Sequence, residues 1–258
     1  MLTERDKERY SRQIAIPGFG EEGQEKLEKG RVAIAGAGGL GSAVAIYLAA
    51  AGVGYIRIID DDTVELSNLN RQILHGDSDI GRDKVLSAVE RLRDANPDVE
   101  VEGVRERITG ENAVELLGGM DAVVDCLDNF DTRYVLNDAS IALKMPLFHG
   151  ACSEMGGQVA TVIPGRTACL RCMFPDPPPP AKTPVLGAAA GTIGTIQSTE
   201  VVKFLTGTGD LLAGKLLIYD GMFGEYDIIE VKRNGKCPSC GGGGEAADVE
   251  DREGVWEV

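Results

Sequence analysis

The chain is short of positive charge. Its 258 residues hold 26 Lys and Arg against 41 Asp and Glu, a net charge of −15. Nucleic-acid surfaces and anionic membranes call for clustered Lys and Arg, so this balance argues against both as broad partners. Any phosphate ligand must be met by a few cations gathered in one place. Long apolar runs are also missing: none reaches the roughly 20 residues that span a bilayer. The opening MLTERDKERY is charged and has no apolar signal core. A cytoplasmic location is therefore expected. No internal repeat is visible. Histidine is nearly absent, with only His75 and His149, and the single tryptophan is Trp256.

What the chain does have is glycine, 34 residues in short clusters that read as turns and close backbone approaches. Six cysteines in a cytoplasmic chain point to metal, catalysis or inert burial before disulfides. The apolar pattern alternates between strand and helix through about the first 150 residues. Strands are expected at Arg31 to Ala35, Tyr55 to Asp60, Val99 to Val104, Asp121 to Cys126 and Pro146 to His149. Helices are expected at Ser42 to Ala51, Gly81 to Asn96, Asn112 to Leu117 and Thr132 to Lys144, after a polar helical stretch from Thr3 to Lys29 broken at Pro17, Gly18 and Gly20. The fold class is α/β, a Rossmann-like doubly wound sheet that is parallel in this half. Beyond it the pattern changes. Strands at Gln158 to Ile163, Lys215 to Tyr219 and Tyr226 to Val231, with a helix from Thr192 to Leu205, predict an antiparallel continuation of one sheet. Residues 1–240 are expected to form a single domain. Residues 241–258, four glycines followed by six acids and one base, are expected to be an acidic, disordered tail.

Gly36-x-Gly38-Gly39-x-Gly41 sits between an expected strand and an expected helix, the context of a nucleotide-binding loop. Asp60 closes the next strand, where a carboxylate can grip ribose hydroxyls. A dinucleotide-binding oxidoreductase would share these two features, and a plain packing turn would share the glycines. Asn68, Arg71, Gln72 and Lys84 follow, and cations beside a glycine loop suit a polyphosphate. Asp128-Asn129 ends a strand at the crevice edge. There Asp128 suits Mg²⁺ alongside phosphate oxygens, or a helix cap in the bland reading. Cys169-x-x-Cys172 and Cys237-x-x-Cys240 form two CxxC pairs, the pattern of a structural zinc knuckle with no open coordination position. Cys126 reads as an inert buried thiol, and Cys152 remains as a spare one.

Taken together, Tyr10-Ser-Arg12-Gln13, the loop Gly36–Gly41, Asp60, the run to Arg71-Gln72, Lys84, Asp128-Asn129 and both CxxC pairs resemble the ThiF/MoeB/HesA group, prokaryotic relatives of ubiquitin-activating enzymes. The resemblance spans Arg9 to Cys240. It implies a homodimeric adenylyltransferase that uses ATP and Mg²⁺ on the C-terminal Gly-Gly carboxylate of a small ubiquitin-like sulfur carrier, giving an acyl-adenylate and pyrophosphate. It puts Asp60 on the ribose, Asn68, Arg71 and Lys84 on the phosphates, Asp128 on Mg²⁺ and Arg12 in the partner subunit's site. Arg12, Arg71, Lys84 and Asp128 form the expected catalytic set. The carrier carboxylate is already ionised at neutral pH, so no general base is needed and neither histidine is given a role. Many relatives carry a cysteine in the crossover loop. Pro175 to Gly187 has none, which removes that loop as the source of a thioester. Sulfur would come from a separate donor protein. Adenylation of another carboxylate and a non-catalytic carrier-binding role are the remaining alternatives.

Overall fold

A computed structural model gives the structure of residues 1–177 and 183–241. The centre of the proline-rich run, the acidic tail from residue 242 and Trp256 lie outside the described residues. The N-terminal stretch folds as α1 (Glu4–Arg9), α2 (Ser11–Ile14) and α3 (Gly20–Lys29). Thr3 starts α1 with a reciprocal cap: its hydroxyl accepts from the Asp6 amide, and the Asp6 carboxylate accepts from the Thr3 amide. The parallel half follows as β1 (Arg31–Ala35), α4 (Gly39–Ala51), β2 (Tyr55–Ile59), α5 (Lys84–Ala95), β3 (Glu100–Val104), α6 (Ala113–Leu116), β4 (Ala122–Asp125), α7 (Phe130–Ala142) and β5 (Leu147–Ser153). The chain then turns antiparallel through β6 (Gly156–Val162), α8 (Leu170–Met173), α9 (Gly187–Thr206), β7 (Lys215–Asp220) and β8 (Glu225–Glu230).

All eight strands form one sheet in the order β3-β2-β1-β4-β5-β6-β7-β8. The pairings from β3 to β5 are parallel, and those from β5 to β8 are antiparallel. Alternate strand residues feed two cores. On one face Val32, Ile34 and Val124 pack with Leu27 of α3, Leu48 of α4, Leu92 of α5 and Ile193 of α9. On the other, Ala33, Ala35 and Val123 pack with Leu116 of α6, Leu136 of α7 and Leu170 of α8. Helices α4 and α7, which leave neighbouring strands β1 and β4, therefore lie on opposite faces. That divergence opens a crevice at the carboxyl ends of the two strands. Among the described residues no helix is long and apolar enough to cross a membrane.

Every expected strand is present and the parallel-to-antiparallel change falls where the pattern changes. Several boundaries differ for local reasons. Helix α4 begins at Gly39 rather than Ser42, so two loop glycines lie inside its first turn. A Cβ at Gly41 would sit on the Gly36 carbonyl oxygen, which is why the first turn can lie so close to the end of β1. Helix α5 begins at Lys84, three residues later than expected, because Gly81 (φ +84°) is held in a turn. Helix α9 starts five residues early, at Gly187, whose missing side chain lets the backbone rest against Asn70 and Arg71. Strand β5 runs on to Ser153, paired with Gly156 of β6.

The glycines of the loop are not equivalent. Gly38 has an extended backbone (φ −78°, ψ −151°), and a Cβ there would meet only Gln72 Nε2, at 3.8 Å. Gly41→Ala is expected to destabilise the protein by about 2 kcal/mol or more. Gly38→Ala should stay within about 0.5 kcal/mol of the parent. Urea unfolding of the two variants against the parent measures the difference, and equal midpoints would contradict it.

Candidate active site

The crevice is built from three chain segments. The first is the glycine loop. Gly36 (φ +102°) turns the chain off β1, and a Cβ there would meet the Cys126 carbonyl at 2.8 Å. The Ala37 peptide is held from both sides. Its N–H donates to Asp60 Oδ2 at 2.7 Å. Its carbonyl lies 3.2 Å from Nε2 of buried His75. A carbonyl only accepts, so Nε2 carries the proton, and Nδ1 accepts from the Ser87 hydroxyl at 2.9 Å. Helix α4 starts at this loop with no side-chain cap, which leaves its first amides free for an anion.

The second segment runs from Asp60 to Lys84. Asp60 is half-buried, and its Oδ1 also accepts from the Asp62 amide at 2.9 Å. Asn68 is buried, and its Oδ1 accepts from the Glu65 amide at 3.0 Å. The Arg71 stem lies between the starts of α4 and α9, where Cβ atoms at Gly39 and Gly187 would touch it at 3.4 and 3.3 Å. Its guanidinium donates to the Ser67 carbonyl and to Asn70 Oδ1, each at 3.0 Å. Gln72 is 4% exposed, and its Oε1 has no partner among the described residues. The other end of the same amide, Nε2, is the atom nearest a Cβ at Gly38, and an orphaned acceptor is what a ligand donor would complete. Lys84 is also buried, with its ammonium on Asp62 at 2.8 Å.

The third segment leaves β4. Asp128 is exposed, and its one partner among the described residues is the Asn129 amide, at 3.3 Å. The capping role falls to Asn129, whose Oδ1 accepts from the Thr132 amide at 2.9 Å. Asp128 is thus free of structural duty, and an exposed carboxylate at this edge fits a hydrated Mg²⁺. Beneath it lies a cluster that sequence reading missed. Asp125, fully buried, accepts from His149 Nδ1 at 2.7 Å and from the Leu127 amide at 3.1 Å. Arg133 Nε lies 3.5 Å from the same carboxylate. An acid ending a core strand, with an Arg in the first turn of the next helix, was the available signal.

Arg12 is not in the crevice of its own chain. Neighbouring Gln13 donates to the Ala51 carbonyl at the far end of α4, a helix about 20 Å long. Arg12 itself is exposed and makes no ion pair among the described residues. Cys126 is buried and Cys152 half-buried. Burial pushes both thiols up, so neither is an activated nucleophile.

The four CxxC sulfurs all lie within 4.8 Å of one another. Cys169 Sγ is 3.9 Å from Cys172 and 3.5 Å from Cys237, and Cys172 is 3.4 Å from Cys240. A tetrahedral ion with Zn–S bonds of about 2.3 Å places sulfurs roughly 3.8 Å apart, so the cluster fits one zinc.

Burial pushes both histidines below the ordinary 6.5, against the weaker pull of the Ala37 carbonyl on His75 and of Asp125 on His149. The unfolded chain takes up protons as pH falls through about 6.5, while the folded imidazoles stay neutral. Stability should therefore fall between about pH 7 and pH 5. The fully buried His149 contributes up to about 1.4 kcal/mol per pH unit. Asn places an amide donor near Nδ1 and Gln places one near Nε2. Urea unfolding of His149→Asn combined with His75→Gln should show a flatter pH dependence than the parent, and an unchanged slope would contradict this account.

A family model for the ThiF family matches residues 10–239. The chain is 46% identical to the SAMP-activating enzyme E1 of Haloferax volcanii, over 92% of this chain and 90% of that one. It is 44% identical to a sulfur carrier protein adenylyltransferase of Thermus thermophilus, over 93% and 92%. A crystal structure of E. coli MccB shares the fold, with a TM-score of 0.82 at 22% identity over 90% of this chain and 72% of that one. The chain belongs to the ThiF family.

Proposed function

We propose that the protein is an ATP-dependent adenylyltransferase acting on the C-terminal Gly-Gly carboxylate of a small ubiquitin-like sulfur carrier. The observation that carries this reading is the grouping of Arg71, Lys84 and a free Asp128 around the glycine loop, in a chain whose full-length relatives bear carrier-activating names. A hydride-transferring enzyme needs its pyrophosphate held but has no use for cations and a metal carboxylate at a leaving group.

In this reading the nucleotide lies over Gly36, Gly38, Gly39 and Gly41, with its ribose at Asp60. Gln72 completes its orphaned acceptor on the ligand. Asn68, Arg71 and Lys84 meet the phosphates, with Lys84 moving its ammonium from Asp62 to a phosphate oxygen. Asn129 orients Asp128, the residue that would hold Mg²⁺; bound there, the ion would supply positive charge toward the phosphates. The carrier carboxylate attacks the α-phosphorus, the bond to the β-phosphate breaks, and pyrophosphate leaves with the electron pair. No proton moves in that step. Preorganised cations stabilise the charge that develops.

Arg12 completes the site from a second subunit, since it lies at the far end of α4 with no ion-pair partner of its own among the described residues. The working unit is thus a homodimer. Residues 1–240 form one adenylation domain, with zinc on Cys169, Cys172, Cys237 and Cys240 as a closed structural site. A separate protein delivers sulfur, and no thioester to the carrier forms from the crossover loop, since Pro175 to Gly187 carries no cysteine.

The test is ATP–pyrophosphate exchange dependent on a Gly-Gly-ended carrier. Lys84→Ala and Asp128→Ala should each lower the exchange rate about 100-fold or more with the fold retained. Unchanged exchange in both would overturn the assigned roles. Metal analysis of freshly purified, chelator-free protein should give about one zinc per chain. Cys169→Ser should lose the metal and unfold at lower temperature.

A further inference from the structure

The Asp128 carboxylate stands on a turn held by three buried groups, Asp125, Arg133 and His149. Asp125 Oδ1 accepts from the Leu127 amide at 3.1 Å. Arg133 Nη2 donates to the Leu127 carbonyl at 2.5 Å and to the Gly150 carbonyl at 3.2 Å. Both peptide units flanking Leu127 are thereby fixed, and the second of them leads directly into Asp128. Arg133 Nε lies 3.5 Å from Asp125 Oδ2, an ion-pair distance without a hydrogen bond, and Cζ lies 5.2 Å from the centre of the Phe130 ring.

Asp125 is oriented by His149. Nδ1 faces a carboxylate oxygen at 2.7 Å and so carries the proton, while Nε2 accepts from the Gln158 amide at 3.4 Å. This settles the tautomer of a fully buried imidazole. The ring is held from its side by Phe174, at 5.6 Å between centroids. With His149 in place Asp125 Oδ2 is occupied and Oδ1 is directed at the Leu127 amide. Without its N–H, Oδ2 would face Arg133 alone, and the carboxylate could rotate away from the turn.

We propose that His149 is a positioning residue for metal binding: through Asp125 and Arg133 it sets the turn that presents the Asp128 carboxylate. The inference rests on the reading of Asp128 as the Mg²⁺ residue. Groups that orient metal ligands typically govern affinity by 10- to 100-fold. Here the effect is transmitted through a backbone turn, so the lower end applies.

The test uses the full-length protein and calorimetric titration with ATP, in the presence of Mg²⁺ and again in buffer prepared without Mg²⁺ or chelator. The ratio of the two dissociation constants isolates the metal's contribution without relying on turnover. His149→Phe keeps a ring against Phe174 but removes the donor, and should lower the ratio about 10-fold. His149→Asn restores a donor near the Nδ1 position and should bring the ratio back to within about twofold of the parent. Equal ratios in His149→Phe and the parent would overturn the proposal, as would equal loss in the Phe and Asn variants. If His149→Phe does not fold, Arg133→Lys takes its place. It keeps the charge but cannot fork to the Leu127 and Gly150 carbonyls, and a ratio equal to the parent's would again overturn the proposal. Asp128→Ala separates the two readings. If it leaves the ratio unchanged, the assignment of Mg²⁺ to Asp128 fails. If it abolishes the metal's contribution while His149→Phe does not alter it, only the positioning role fails.

Discussion

Strands β1 and β4 are hydrogen-bonded neighbours from Val32–Ala122 to Ala35–Asp125, yet the chain leaves them toward opposite faces of the sheet. The site follows from that parting. Because α4 and α7 diverge, the carboxyl ends of the two strands stay uncovered, and the loops that start the helices become the walls of the crevice. The two walls touch at Cys126. A Cβ at Gly36 would lie 2.8 Å from the Cys126 carbonyl oxygen, so glycine there lets the loop pack onto the end of β4. The cradle and the Asp128 turn therefore meet at this one residue, whose amide donates to the Ala35 carbonyl at 2.9 Å.

The net charge of −15 argues against a partner that covers a broad anionic surface, and the structure shows how a small anion can still be met. The cations of the crevice are few and are kept against oxygens. Lys84, buried at the start of α5, rests on Asp62, whose own side chain is largely exposed. Arg71 rests on Asn70 and the Ser67 carbonyl. Exposed carboxylates and neutral oxygens are weak partners, so a triphosphate with several charged oxygens can take their place. The buried Arg133 faces the buried Asp125 at 3.5 Å, a pair that the proposed reaction does not ask to move.

Much of this was legible in the sequence, for physical reasons. The strand at Arg31–Ala35 was legible because a short apolar run ending in glycine has few other homes, and the four sulfurs because paired CxxC spacing has few other uses. Tertiary contacts were not legible. Arg133 reads as ordinary surface charge on a helix, yet it is 5% exposed beneath the Asp128 turn. The early start of α9 is hidden by low helix propensity at Gly187 and Gly191, and it is the approach to Asn70 and Arg71 that calls for glycine at 187. Arg12 could be placed by resemblance, but its distance along α4 from the glycine loop is a property of the fold.

The two histidines show what the proposed chemistry leaves free. A nucleophile that is already ionised requires no general base, so neither imidazole has to sit in the crevice or titrate near neutrality. Both are instead buried below the cradle with one tautomer each, His75 under the Ala37 carbonyl and His149 beside Asp125. A carboxamide could supply the same N–H, but it has no apolar face to pack. At His149 the edge of the ring must donate to a buried carboxylate while its side lies against Phe174. Among the side chains, neutral imidazole meets both demands within so small a volume. That pairing of a fixed donor with an apolar ring explains a histidine at a position where the reaction has no proton to give it.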